Sequence, residues 1–172
     1  HIKTNMGLDP LLRRPISISR IHRDKGQLSM IYQMAGRGTK ELTHFSEGDY
    51  IDVLGPLGNG FPVFKDKKCA VIGGGMGGAP LLEVLNNIDE CDAYIGFKCS
   101  TFKIEEFQKS CRNLCIATED GSLGFKGFVT DLIDDIKKYD IVYACGPKPM
   151  LKRVKTICED GDVLCYMSVE ER

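Results

Sequence analysis

A small antiparallel β-barrel followed by a five-stranded parallel sheet wrapped in helices is the fold that three features of the sequence predict. Residues 68–85, KCAVIGGGMGGAPLLEVL, join a short apolar run to five glycines and then to a helical pattern. The rhythm of the chain changes near residue 67, from short alternating segments with glycine corners to apolar runs separated by amphipathic stretches. Between the two regimes lies the charged run Lys65-Asp66-Lys67-Lys68, which reads as a linker. The predicted domains are therefore 1–66 and 67–172.

In the first domain, residues 1–4 are a strand candidate. Residues 16–23 alternate through Ile16, Ile18 and Ile21, turn at Asp24-Lys25-Gly26 and return along 28–34 as a hairpin. Gly36-Arg37-Gly38-Thr39 then breaks the pattern, and 40–45 fits a short helix with Thr39 as its N-cap. Residues 50–54 make a further strand, closed by Gly55-Pro56-Leu57-Gly58-Asn59-Gly60. Four strands are few for a barrel, which on this reading lacks its first strands. In the second domain the strands are 69–72, 93–97, 114–118, 141–145 and 164–169, and the helices 79–86, 103–111, 128–138 and 149–159. Short apolar strands alternating with amphipathic helices describe a parallel sheet covered on both faces, of the Rossmann-like kind.

Composition narrows the function. The 172 residues carry 23 Lys and Arg against 24 Asp and Glu, a balance without the basic excess of a nucleic-acid or anionic-membrane surface. No apolar run is long enough to span a bilayer. Eight cysteines are spread singly, with no C-x-x-C, which points to reduced and mostly buried thiols in a cytoplasm and to no metal site. His1, His22 and His44 are scattered and read as surface residues. Paired carboxylates, G-x-S-x-G and H-E-x-x-H are all missing, so hydrolysis is poorly supported and cofactor redox chemistry better supported.

A strand, a glycine turn and a helix N-terminus together make an anion site, because unbonded N–H groups point out of the helix end and glycine admits a phosphate to the backbone. Gly73, Gly74, Gly75, Met76 and Gly77 occupy that turn, and Pro80 sits in the first helical turn, where its missing N–H costs nothing. The other strand ends contribute Lys98, Thr118-Glu119-Asp120 and Cys145-Gly146-Pro147 to the same rim. The Cys-Gly-Pro turn serves equally as an approach for a flat ring or as a buried thiol followed by a loop breaker. A second anion signal lies in the first domain, where Gly38 and Thr39 precede a short helix and Arg14 precedes Pro15, Ile16 and Ser17. Arg14 suits bidentate contact with a pyrophosphate, and Ser17 offers a hydroxyl to a ring. Two phosphate-type signals in two domains suggest two nucleotides meeting between them.

Arg-Pro-x-Ser, the glycine–threonine turn, G-G-G-x-G-x-A-P and a late Cys-Gly-Pro resemble the ferredoxin reductase superfamily. Within it, LLRRPISI, GPLGNGF, TEDGS, ACGPKPML and SVEER resemble the electron-transfer subunits of class B dihydroorotate dehydrogenases. The resemblance covers essentially the whole chain. It implies FAD held at Arg14, Pro15, Ile16 and Ser17, with Ile31, Tyr32 and Gln33 beside the isoalloxazine and ribityl chain and Gly38 and Thr39 capping the phosphates. It implies NAD with its pyrophosphate on residues 73–77 and its nicotinamide beside Cys145, Gly146 and Pro147, Cys145 being the candidate catalytic residue. The implied partner is an FMN-containing dihydroorotate-oxidising subunit, two of each in a heterotetramer. Electrons would run through a [2Fe–2S] cluster and FAD to NAD⁺ in pyrimidine biosynthesis. In the family the cluster cysteines follow the SVEER-like segment, so no metal ligand is assigned among these residues. Two other readings stand beside this one. The first is an FAD/iron–sulfur reductase subunit for a sulfide dehydrogenase or NAD(P)H–ferredoxin system, and the second a nucleotide-binding module without redox activity. Lys98 and Lys103 are the nearest cations for a 2′-phosphate, too few to favour NADP.

Overall fold

The structure, a computed structural model, describes residues 1–3 and 12–169. Thr4 of the first expected strand, Leu11 of the LLRRPISI segment and residues 170–172 of the SVEER segment lie outside the described residues.

Among the described residues, the amino-terminal part of the chain, up to residue 66, contains two separate ladders. Strand β1 (Ile2–Lys3) pairs antiparallel with β4 (Asp52–Val53), Ile2 opposite Val53, and the Arg13 guanidinium closes on the Asp52 carboxylate beside them. Strands β2 (Ile18–His22) and β3 (Gln27–Met30) form the expected hairpin. Its turn is completed by Gly26 in a left-handed conformation, φ +61°. Buried Ser19 donates to the Ser29 carbonyl at 2.9 Å, and the His22 ring nitrogen lies 2.9 Å from the Ser29 hydroxyl, so this histidine braces the hairpin. Helix α1 (Arg37–Leu42) starts three residues before the expected 40–45, with Gly36 rather than Thr39 at its N-cap. Thr39 sits in the first turn instead, its hydroxyl accepting from the amides of Ala35 and Gly36 at 3.0 Å each.

The second domain is a parallel sheet of six strands: β5 (Cys69–Gly74), β6 (Cys91–Phe97), β7 (Leu114–Thr118), β8 (Phe125–Lys126), β9 (Ile141–Cys145) and β10 (Leu164–Ser168). Their spatial order is β10-β9-β5-β6-β7-β8. The sixth strand, β8, was not expected. After β7 the chain turns back through Gly121 and Gly124, at φ +77° and +70°, and the Thr118 hydroxyl bonds both the amide and the carbonyl of Leu123. That loop lays two residues beside Ala117 and Thr118, a contact too short and too exposed to leave an apolar run in the sequence.

Helices α2 (Gly78–Leu85), α3 (Ile104–Ser110) and α4 (Lys148–Gly161) match the expected segments closely. The helix expected over 128–138 is replaced by two 3₁₀ turns, Val129–Leu132 and Ile136–Lys138. Asp131 accepts from the Phe128 amide at 3.2 Å and Asp135 from the Lys137 amide at 2.9 Å. Such local carboxylate–backbone bonds compete with the i→i−4 ladder and break the segment in two.

Alternation along β5 divides the core. Cys69 and Val71 face α2 and α3 with Leu81, Leu85 and Phe107, while Ala70 and Ile72 face α4 and the 3₁₀ turns with Val154 and Ile136. Specific bonds join the amino-terminal part of the chain to the parallel sheet and its helices. Glu83 on α2 accepts from the Ile21 amide of the hairpin at 2.9 Å. The Tyr143 hydroxyl of β9 donates to the Pro62 carbonyl at 2.9 Å, with Phe61 edge-on to its ring.

At the amino-terminal rim of the sheet Asp92 is buried, 4% exposed, and fully satisfied. One oxygen accepts from Arg112 at 3.0 Å and Asn113 at 2.9 Å, the other from Arg112 at 3.0 Å and Tyr139 at 2.7 Å. Burial works to raise its pKa, but the bonds from Arg112, Tyr139 and Asn113 outweigh it and hold the carboxyl below the ordinary range. Asp92→Ala leaves Arg112 and Tyr139 without their acceptor, with an expected loss of about 3–5 kcal/mol in urea unfolding. Because the folded pKa is depressed, the Asp92 contribution is fully present above the unfolded value of about 4 and is lost as pH falls through the folded value. The excess urea midpoint of wild type over Asp92→Asn at pH 7 is therefore expected to shrink as pH falls below about 4.

Candidate functional site

The carboxyl ends of β5 and β9 lie backbone against backbone. A Cβ built on Gly77 would stand 2.3 Å from the Cys145 carbonyl oxygen, and one on Gly74 2.6 Å from the Met150 sulfur and 2.9 Å from Pro147 Cδ. Gly146, at φ +159°, approaches Gly74 N so closely that its own Cβ would stand 3.0 Å away. Gly73 has a different task, since a Cβ there would meet the Gly78 backbone and Ile95, where α2 packs onto the sheet. Gly73 and Gly74 thus belong to strand β5 rather than to the turn, which is the single 3₁₀ turn Gly75–Gly77 leading into α2.

Beyond these ends opens a cavity of about 760 Å³, within the range of small-molecule sites. Gly74 and Gly75 form its floor, Gly96 to Lys98 and Glu119 one side, and Pro147, Met150 and Arg153 of α4 the other. Four of the strand ends expected to share a rim therefore do so. Gly73, Met76, Gly77, Cys145 and Gly146 stand outside the lining, and Gly77, Cys145 and Gly146 pack where β5 meets β9. Phe128, 63% exposed, and the segment 127–131 also wall the cavity. Sequence reasoning missed this wall because it assigned 128–138 to a helix; the glycines at 121, 124 and 127 preceding Phe128 were the available signal.

The charges in the cavity are unevenly committed. Asp131 is spent on the Phe128 amide. Glu119 binds the Phe97 carbonyl through its amide, and its carboxylate has no hydrogen bond or ion pair among the described residues. Lys98 follows Phe97, the register partner of Thr118, so it stands beside Glu119 on the rim. Lys103 is occupied by an ion pair with Glu106. Asp120 accepts from the Ser122 hydroxyl at 2.7 Å and amide at 3.0 Å, which lowers its pKa and fixes the loop that presents Glu119.

In the first domain the structure brings Arg14 and Gly38 together. Arg14 is pinned by paired backbone bonds to Ile2, 2.7 and 2.9 Å, and its guanidinium lies across buried Gly38, where a Cβ would stand 2.3 Å from Nε. Pro15, Ser17 and Gln33 are exposed, and Ile16, Tyr32 and Thr39 half-buried. Ile31 packs against the α2 side of the core. Of the eight cysteines, expected to be mostly buried, only Cys69, Cys91 and Cys158 are; Cys99 is exposed and the other four are half-buried.

No family model matches the chain. A dihydroorotate dehydrogenase B (NAD(+)) electron transfer subunit of Geobacillus sp. (strain WCH70) is 41% identical over 182 residues, covering 100% of this chain and 70% of that protein. Its counterpart from Bacillus pumilus is 42% identical over 182 residues, 100% of this chain and 69% of that one. The chain belongs to the family of dihydroorotate dehydrogenase B electron transfer subunits. The Caldanaerobacter subterraneus subunit is 42% identical over 94% of this chain, which spans 65% of that relative. This chain therefore covers about two thirds of the length of the electron transfer subunits it matches. Among solved structures, that of an NADH-dependent reduced ferredoxin-NADP oxidoreductase superposes with TM-score 0.81 at 26% identity, over 93% of this chain and 61% of that one. The FAD/NAD binding domain of a Vibrio cholerae nitric oxide dioxygenase shares the fold, with TM-score 0.53 at 20% identity over 67% of this chain and 56% of that one. Among the described residues no helix is long and apolar enough to cross a membrane.

The contact between strand ends gives a direct test. In Gly77→Ala the new methyl collides with the Cys145 carbonyl, which is backbone and cannot rotate away. The expected cost is about 1–3 kcal/mol in urea unfolding, the scale of overpacking a filled interior.

Proposed function

We propose that this chain is the NAD-side half of a dihydroorotate dehydrogenase, an oxidoreductase subunit that accepts electrons through FAD and delivers them to NAD⁺. The observation that carries the proposal is the cavity over the carboxyl ends of β5, β6, β7 and β9, at the point where strand order reverses, the position at which open parallel sheets bind nucleotides. Its size suits a nicotinamide nucleotide, and the glycine floor at Gly74 and Gly75 leaves backbone open to a pyrophosphate. In the first domain the Arg14 guanidinium over Gly38 is a cradle that any Cβ would fill, and it suits the pyrophosphate of FAD. When bound, the flavin supplies the two-electron redox chemistry and the nicotinamide accepts a hydride.

The work of this chain's own residues is then positional. Arg14 neutralises and orients one pyrophosphate, with Pro15, Ile16 and Ser17 and residues 31–33 flanking the flavin and Gly38 and Thr39 beside the phosphates. Gly74 and Gly75 face the second pyrophosphate, with Gly73 packing the end of β5 and Met76 and Gly77 completing the turn into α2 behind them. Pro147 borders the nicotinamide ring, and Cys145 and Gly146 support it from the β5–β9 contact behind. Holding two rings in register replaces an encounter in solution with a preset geometry. The partner is an FMN-bearing subunit that oxidises dihydroorotate, two copies of each assembling in the cytoplasm for pyrimidine synthesis, with a [2Fe–2S] relay held by residues outside this chain.

In anaerobic absorbance spectroscopy of the full natural chain purified without its partner, a flavin band is expected that bleaches on addition of NADH. A protein that stays colourless after FAD is added contradicts the reading. Arg14→Ala removes a charge-assisted contact worth about 1.5–3 kcal/mol, so its flavin dissociation constant is expected to rise about 10- to 100-fold. Nicotinamide preference is assigned to Glu119, whose uncommitted carboxylate accepts from a ribose diol and repels a 2′-phosphate. Glu119→Gln leaves Lys98 unopposed on the rim, and the ratio of NADPH to NADH dissociation constants is expected to fall about tenfold. An unchanged ratio would remove Glu119 from the site.

A further inference from the structure

A second cavity, of about 720 Å³, lies at the far edge of the sheet between the last turns of α4 and edge strand β10. None of the residues assigned to either nucleotide touches it. Cys158 and Cys165 both line it. Cys158 is buried on the inner face of α4 with Leu151 and Val154, and Cys165 is half-buried on β10, in register with Val142 of β9. The link between helix and strand is very short. Asp162 ends α4 in a left-handed conformation, φ +55°, and the Val163 amide donates to the Cys158 carbonyl at 2.9 Å. This reversal folds the second residue of the strand back onto the last turns of the helix, so that Cys165 packs against the apolar cluster that contains Cys158 and both line one cavity.

We infer that Cys158 and Cys165 are a reversible redox pair, which a small-molecule disulfide converts into an intramolecular disulfide pinning α4 to β10. Their shared packing at the end of α4 supplies the proximity, and the open cavity supplies the route for the oxidant. Interaction between the paired thiols lowers the Cys158 thiol and raises that of Cys165, which favours Cys158 as the attacking group. The other thiols with shifted values, at Cys69, Cys91, Cys111 and Cys115, are all pushed up by burial and are held as protonated bystanders.

The exchange balances in two steps. The Cys158 thiolate attacks one sulfur of the oxidant RSSR; its S–S bond breaks and RS⁻ leaves, taking up the proton that Cys158 lost. Cys165 then gives its proton to the second leaving thiolate as its sulfur attacks the Cys158–SR mixed disulfide. Two protein thiols are oxidised by two electrons, and RSSR is reduced to two RSH.

The test uses the full natural chain with its cofactors bound and oxidised glutathione as the probe. Between Lys155 and Arg172 there is no Lys or Arg, so trypsin releases both cysteines on the single peptide 156–172. After treatment, blocking with iodoacetamide and digestion, that peptide is expected to lack both alkyl groups and two hydrogens, and to regain both alkylation sites after dithiothreitol. Cys165→Ser is expected to stall at a glutathione adduct on Cys158. Amide hydrogen exchange along β10 is expected to slow in the oxidised wild type. If both cysteines remain alkylatable under conditions that modify exposed Cys99, or if wild type stops at a stable glutathione adduct, the pair is not a redox couple. A disulfide that forms without slowing β10 exchange would overturn the pinning.

Discussion

The contact on which the rest of this structure depends is the approach of two strand ends, β5 and β9, at a separation that no side chain permits. Gly74, Gly77 and Gly146 interlock there with the Cys145 carbonyl, Pro147 and Met150. With the strands this close, the turn after β5 stays short, α2 begins at once, and α4 starts directly above Gly74. The cavity is the space left over between these two helix starts and the ends of β6 and β7. A glycine cluster that reads as a phosphate loop is therefore also a packing device, and its members divide the two tasks. Gly75, left-handed at φ +53° with nothing within 4 Å of an added Cβ, faces open space, while Gly77 is locked against backbone.

The opposite rim of the sheet is stabilised by different means. Asp92 gathers Arg112, Asn113 and Tyr139 into a satisfied polar cluster at the amino-terminal ends of the strands, with Tyr94 adding its hydroxyl to Tyr139 at 2.9 Å. Charge is thus neutralised where the sheet must be rigid. At the carboxyl rim, Glu119 keeps a carboxylate uncommitted beside Lys98. The division follows the general behaviour of parallel sheets, whose binding chemistry collects beyond the carboxyl ends.

Much of this was legible in the sequence. The five long strands were visible because each is a short, mostly apolar run, and the hairpin because Ile16, Ile18 and Ile21 alternate before a glycine turn. Helices α2, α3 and α4 carry amphipathic patterns without internal competition. The segment 128–138 was misread because Val129, Leu132, Ile133 and Ile136 have helical spacing, whereas Asp131 and Asp135 divert the backbone hydrogen bonds. Strand β8 was invisible because two exposed residues carry no periodicity. In the candidate site, the glycines and Pro147 were readable, but Phe128, Met150 and Arg153 were not, since their place depends on how a loop and a helix converge across the sheet. The approach of Arg14 to Gly38 joins residues 24 positions apart, and it was hinted at only by the motifs around each.

The bond from the Ile21 amide to Glu83 has a mechanical consequence. A hydrogen bond to an ionised acceptor is worth about 1.5–3 kcal/mol, and this one fastens the hairpin to the helix that begins at the glycine turn. Tyr143 and Pro62 make a second fastening on the neighbouring strand. Two anchors set apart from each other remove the freedom of one lobe to swivel against the other. The distance between Arg14 and the glycine floor is thereby braced by bonds within the chain, like the gap of a spark plug.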